Sequence, residues 1–181
     1  MKIRAEITWS KNDNWETPEY IMKWIKETFE NKEFFDPCPL SEKREVWMKK
    51  MRSENWEEWE EMEYEYILQF DWLTIDWKER NFVNPPYNIT DKPKFVKKAL
   101  SEYKKWNTSI LLIPATTETQ WFHECLVPYA QIFFIKWRVK FKWFNSKWEY
   151  VTNKTWQSWS ILCVLDPNKK PLMTTLEVDH N

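Results

Sequence analysis

Asn81-Phe82-Val83-Asn84-Pro85-Pro86-Tyr87 reads as a short apolar strand running into a turn, because two consecutive prolines cannot continue a central β-ladder. The amide of Asn84, the proline carbonyls and the Tyr87 ring then project from the strand's carboxyl end. Open α/β sheets gather their ligands at that edge. Carbonyl acceptors beside an aromatic plane suit a planar exocyclic amine, whose hydrogens they bind and whose ring system they stack. The alternative use of the same four residues is a turn plugged by an aromatic ring.

Working outward, Pro18 to Phe29 carries Ile21, Met22, Ile25 and Phe29 at helical spacing, with Thr17 expected as N-cap and Pro18 as the first helical residue. Glu33 to Cys38 is expected as a strand broken at Pro37, residues 41 to 66 as a charge-dense solvated helical face, and Ile67 to Asp71 as a second short strand. Pro93 to Lys105 has the pattern of a basic helix and Thr119 to Leu126 that of another. Ser109 to Pro114, Gln131 to Ile135 and Ser160 to Leu165 are continuous apolar runs, the sign of strands covered on both faces. Strands alternating with helices predict an α/β fold, a mostly parallel sheet with helices on both faces. A single domain over residues 1–181 is expected, with its core at about 15–165, a loop near the substrate at 143–159 and a polar, peripheral tail at 166–181.

Composition removes several function classes. No apolar run reaches the ~18 residues of a membrane span, and the first residues lead into no signal-peptide core, so a cytoplasmic protein is expected. Cys38, Cys125 and Cys163 are odd in number and widely spaced, which predicts neither a disulfide framework nor a zinc site. With His123 and His180 as its two histidines, the chain offers poor material for a histidine metal centre or a serine triad, and no metal is expected. The net charge of −1 gives no general attraction to nucleic acid.

The 181 residues include no glycine and 15 tryptophans. Average usage would place roughly 13 glycines in a chain this long. The deficit and the surplus are similar in size, and Trp143, Trp148, Trp156 and Trp159 sit among Asn, Ser, Lys and Thr, where glycine is the usual turn residue. One hypothesis covers both: many tryptophans occupy positions built for glycine, through substitution or through a codon that its source reads as glycine. A naturally tryptophan-rich protein with stacking platforms for nucleic acid is the alternative.

Asp36 with Pro37 and Cys38, Asp71, and Asn84 each stand at an expected strand end, so they are placed to line one crevice. A carboxylate there could accept hydrogen bonds from a nucleoside's hydroxyls or an adenine amine; taken singly, each Asp also reads as a helix cap or turn residue. At this point the chain resembles the small phage-type, Dam-like DNA N6-adenine methyltransferases. The resemblance rests on Trp15 with Thr17-Pro18, Phe35-Asp36-Pro37-Cys38, Asp71 with Leu73 and Trp77, Asn84 to Tyr87, Lys97-Lys98-Ala99, Leu112 with Pro114-Ala115, Trp121-Phe122-His123, and Phe134 to Lys136 with Arg138 to Phe141. It covers about residues 15–165. Its four-residue amine motif also occurs in methyltransferases acting on RNA, protein glutamine or small molecules, whereas the ordered combination is more specific.

The resemblance implies a Rossmann-like, S-adenosylmethionine-dependent fold. It places Thr17 and Pro18 near the cofactor's methionine end, Asp36, Pro37 and Cys38 along its pocket, and Asp71 with Leu73 beside its adenosine, and it counts Trp15 among the cofactor-binding residues. Asn84 and Pro85 would hold the adenine amine, with Pro86 shaping the turn and Tyr87 stacking on a base extruded from the duplex. The sulfonium already carries an activated methyl group, so neither a metal nor a covalent intermediate is implied. Glycine stands in the family pattern where this chain has Trp72, Trp106, Trp137 and Trp159, whereas Trp15, Trp77 and Trp121 match family tryptophans.

For DNA, Lys136, Arg138, Lys140 and Lys142 alternate with Trp137, Val139 and Phe141, so one strand would display four cations on one face. An edge strand protected by lysines is the ordinary reading of that pattern. Three functions stay open at this point: methylation of adenine N6 in DNA, in the host cytoplasm if the gene is a phage's; methylation of RNA or a protein amide; and a non-catalytic, tryptophan-rich nucleic-acid binder.

Overall fold

The computed structural model describes residues 15–38, 73–144, 150–155 and 158–178, with the side chains of Trp15, 142–144 and 150–155 not described. The helical stretch expected at 41–66 and the strand expected at 67–71, including Asp71, lie outside the described residues. In chain order the elements are β1 (Trp15–Glu16), α1 (Glu19–Thr28), β2 (Arg80–Val83), α2 (Lys92–Tyr103), β3 (Thr108–Pro114), α3 (Gln120–Cys125), β4 (Ala130–Ile135), β5 (Lys140–Phe144), β6 (Tyr150–Thr155), β7 (Ser160–Leu165) and β8 (Leu172–Leu176).

Every residue of β7, and every residue of β3 after Thr108, is buried, and these two strands occupy the middle of a five-stranded sheet in the order β2-β3-β7-β4-β8. Phe35 adds a parallel bridge to Asn81, so the chain from Asp36 onward leaves at the same carboxyl edge as Asn84. Pairing is parallel between β2 and β3 and between β4 and β8, whereas β7 is antiparallel to both neighbours. Four of the five strands therefore share one direction. The expected direction holds for them, and the sheet is mixed because β7 is inserted in reverse between β3 and β4.

Side-chain alternation divides the core between the sheet's two faces. Val83, Leu111, Ile113, Ile161 and Cys163 join Phe95, Val96 and Ala99 of α2 and Phe122 of α3. Phe82, Ile110, Leu112, Leu162 and Val164 join Ile21 and Ile25 of α1, with Tyr87 and Phe141. Helices thus cover both faces. Each fully buried Leu, Ile or Phe contributes about 1.5–3 kcal/mol relative to exposure. None of the described helices is long and apolar enough to cross a membrane.

Several expectations need correction. Pro18, not Thr17, is the N-cap of α1, with φ −62° and ψ 150°, and its carbonyl accepts from the N–H groups of Ile21 and Met22. Glu33 to Cys38 forms an isolated bridge in place of a full strand, since Pro37 has no N–H for a ladder. The stretch 143–159 is not simply a loop: β6 pairs antiparallel with β5, and β1 pairs with the other edge of β5, to make a second, three-stranded sheet. The tail after Asp166 does lie at the periphery, but as an exposed edge strand of the core sheet, β8, followed by a buried Val178.

Candidate active site

Asn84 follows directly on β2, and its Nδ2 donates to Thr17 Oγ1 at 3.2 Å, joining two residues 67 positions apart. That hydroxyl is therefore engaged by the amide, and it makes no side-chain cap for α1. Pro85 and Pro86 are buried behind Asn84. Because Thr17 comes directly after β1, and β1 pairs with β5, the bond ties the amide motif to the smaller sheet. Tyr87 makes a second tie: its ring meets Phe141 of β5 edge-to-face at 5.8 Å, and its hydroxyl donates to the Leu112 carbonyl at 3.3 Å. At 6% exposure the ring belongs to the core in this conformation, and burial raises its hydroxyl pKa well above the ordinary value.

Across the edge, Asp36 Oδ1 accepts the Cys38 N–H at 2.8 Å. That bond favours the carboxylate, but burial outweighs it and lifts the pKa to about 6. A carboxyl held this far above its usual range is a common mark of a functional position. Leu73 is packed against the same core cluster as Cys38, and Trp77 in that cluster stacks on Phe95 with ring centroids 6.5 Å apart. Asp71, expected beside an adenosine, lies outside the described residues.

The loop after the motif is fixed by residues that the sequence pattern did not single out. Asn88 Oδ1 accepts the N–H groups of Thr90 at 3.0 Å and Asp91 at 2.7 Å, and Asn88 Nδ2 donates to Asp91 Oδ2 at 2.9 Å. Asn and Asp three apart before a helix are the signal that would have found this brace. Lys92 opens α2 with a buried amine 5.4 Å from the centre of the Trp121 ring. Burial lowers its pKa, against the charge of Glu118, which raises it.

The expected row of four cations is broken. Trp137 has φ 74°, so the backbone turns between Lys136 and Arg138 and β5 begins only at Lys140. Lys136 pairs instead with Glu177 at 2.7 Å and lies over the Trp137 ring at 5.6 Å. Beyond the turn the alternation is clear: Arg138 and Lys140 are exposed while Val139 and Phe141 are buried. Lys142 pairs through its backbone with Glu16, and its side chain is not described. Among the described residues no group of three or more His, Cys, Asp or Glu is placed to hold a metal ion.

A family model described as DNA N-6-adenine-methyltransferase (Dam) matches residues 4–180 of this chain. The chain belongs to the Dam family. That match spans both sheets and places the Asn84 turn, the Asp36 edge and β5 within one family unit. A Dam relative, the DNA N-6-adenine-methyltransferase of Haemophilus phage HP1 (strain HP1c1), is 25% identical over 179 residues, covering 97% of this chain and 84% of the phage protein. No solved structure matches this Dam chain.

Proposed function

We propose that this chain transfers a methyl group from S-adenosylmethionine to the N6 amine of adenine in DNA, through a Rossmann-like domain encoded by a phage and acting in the host cytoplasm. Membership of the Dam family over residues 4–180 supports the reaction. The observation that carries it to particular atoms is the Asn84–Thr17 bond. Thr17 holds the nitrogen end of the amide, which fixes the amide's orientation and with it the side on which its oxygen lies. The Asn84 oxygen and Pro85 carbonyl take the two hydrogens of the adenine amine and orient the nitrogen lone pair. Acceptors fixed in advance also favour the positive charge that develops on nitrogen, at no cost of reorganisation during the reaction.

Asp36 and the neighbouring backbone fit the cofactor, since a partly buried carboxyl with a raised pKa is suited to the hydroxyl and ammonium donors that S-adenosylmethionine presents. Thr17, Pro18, Pro37, Cys38, Asp71 and Leu73 complete the proposed pocket. When bound, S-adenosylmethionine supplies an activated methyl group. The protein's part is to hold the amine in line and keep water out. Incubation of the protein with unmethylated DNA and labelled S-adenosylmethionine, followed by nucleoside mass spectrometry, is expected to show N6-methyladenine. Label entering only RNA or protein in competition would overturn the substrate, and no binding of S-adenosylmethionine would overturn the enzyme.

Cofactor affinity is expected to rise with pH through about 6, the pKa of the free Asp36 carboxyl. Donors on the ligand bind the ionised form, so below that value each pH unit weakens binding up to about tenfold. Asp36→Asn should flatten this profile in a calorimetric titration; an unchanged profile would remove Asp36 from the pocket. In the free protein the raised pKa acts in the opposite sense on stability. The folded state holds the proton longer than the unfolded state, so stability falls as pH rises from about 4 toward about 6.

Arg138, two residues before β5, and Lys140, its first residue, are the proposed phosphate contacts. Replacing both with alanine should weaken binding to unrelated DNA sequences alike and reduce the slope of log affinity against log salt by about one per cation removed. A fluorescence titration at several salt concentrations reads this directly, and an unaltered slope would move the DNA path elsewhere.

A further inference from the structure

We infer that residues 106 and 137 are glycine in the protein made by its source. Composition points to tryptophan in place of glycine somewhere in the chain, and backbone geometry independently singles out these two positions. The chain has no glycine and 15 tryptophans. Among the described residues four have positive φ, Glu30, Asn31, Trp106 and Trp137, and two of these four are tryptophan. In the left-handed region Cβ crowds the backbone, which glycine alone avoids, and a bulky side chain there is an outlier.

Trp106 marks the end of α2. Its N–H donates to the Tyr103 carbonyl at 3.0 Å and the Asn107 N–H to the Glu102 carbonyl at 3.0 Å, while Trp106 itself has φ 70°. These two bonds define a Schellman ending, with Trp106 at the position where helices most often carry glycine. Trp137 has φ 74° in the bend between β4 and β5. Neither indole is buried, Trp106 being 71% and Trp137 57% exposed, and the Lys136 amine lies over the Trp137 ring. Glu30 and Asn31 end α1 in the same conformation, but they leave polar side chains in water, and Asn tolerates that region.

Trp77 shows what a tryptophan chosen for its indole looks like, being 4% exposed and stacked on Phe95. A stacking platform for bases does not explain Trp106. It lies just before β3, at the sheet edge opposite the carboxyl end that carries Asn84. The inference does not depend on methyl transfer and survives if that proposal fails.

The coding triplets at 106 and 137 are expected to differ from those at 77 and 121, and peptides from the source's own protein are expected to carry the mass of glycine at 106 and 137. In the tryptophan-containing chain, Trp106→Gly and Trp137→Gly should each raise the melting temperature by about 2–4 °C, whereas Trp77→Gly should lower it. Tryptophan masses at 106 and 137 in the source's protein would overturn the inference, as would a lower melting temperature for both glycine variants.

Discussion

Asn84→Ala is expected to reduce methyl transfer to adenine by at least about a hundredfold, the scale on which enzymes lose rate when one preorganised polar group at the reacting centre is removed. S-adenosylmethionine binding should remain measurable, because the proposed pocket residues run from Asp36 to Cys38 and around Thr17. The variant should also fold. Asn84 is only partly buried, and the deletion removes its bond to Thr17, a loss of about 1 kcal/mol. Single-turnover kinetics with cofactor binding measured in parallel separates the two effects. Unchanged turnover would reject Asn84 as the acceptor of the amine, and loss of cofactor binding together with turnover would place it in the cofactor pocket instead.

What was legible in the sequence was whatever depends on local pattern. The apolar runs at Ser109–Pro114 and Ser160–Leu165 mark two interior strands, β3 and β7, because a strand covered on both faces needs no polar alternation. The same property hid the direction of β7: an uninterrupted apolar run is equally suited to parallel and antiparallel neighbours. Thr17 before Pro18 has the local form of a helix cap, and only a contact across 67 residues takes its hydroxyl to Asn84. Lys136 to Phe141 alternates well enough to read as one strand, yet the positive φ of Trp137 breaks it after Lys136. For β6, Tyr150 to Thr155 carries mostly polar residues, and its strand conformation comes from pairing with β5, which composition does not record.

Tyr87 separates a structural use of the amine motif from a chemical one, and its variants carry the second large effect. Tyr87→Ala is expected to destabilise the protein by about 3–5 kcal/mol, as for other buried aromatic truncations, because it empties the space against Phe141 and removes the hydrogen bond to Leu112. On a domain of this size that is a melting shift of roughly 10 °C. Its activity loss alone therefore says little about stacking. Tyr87→Leu retains much of the apolar volume but has no aromatic plane. It should keep most of the stability while losing about ten- to a hundredfold in methyl transfer, the range expected for one lost base–aromatic stack. Since the ring is buried in the free protein, stacking requires it to become accessible when DNA binds, and tyrosine fluorescence cannot follow that motion among so many tryptophans. The comparison of melting temperature with turnover can. Normal turnover in Tyr87→Leu would leave the ring as the plug between the motif and β5, with Asn84 and Pro85 holding the amine without a stacking partner at this position.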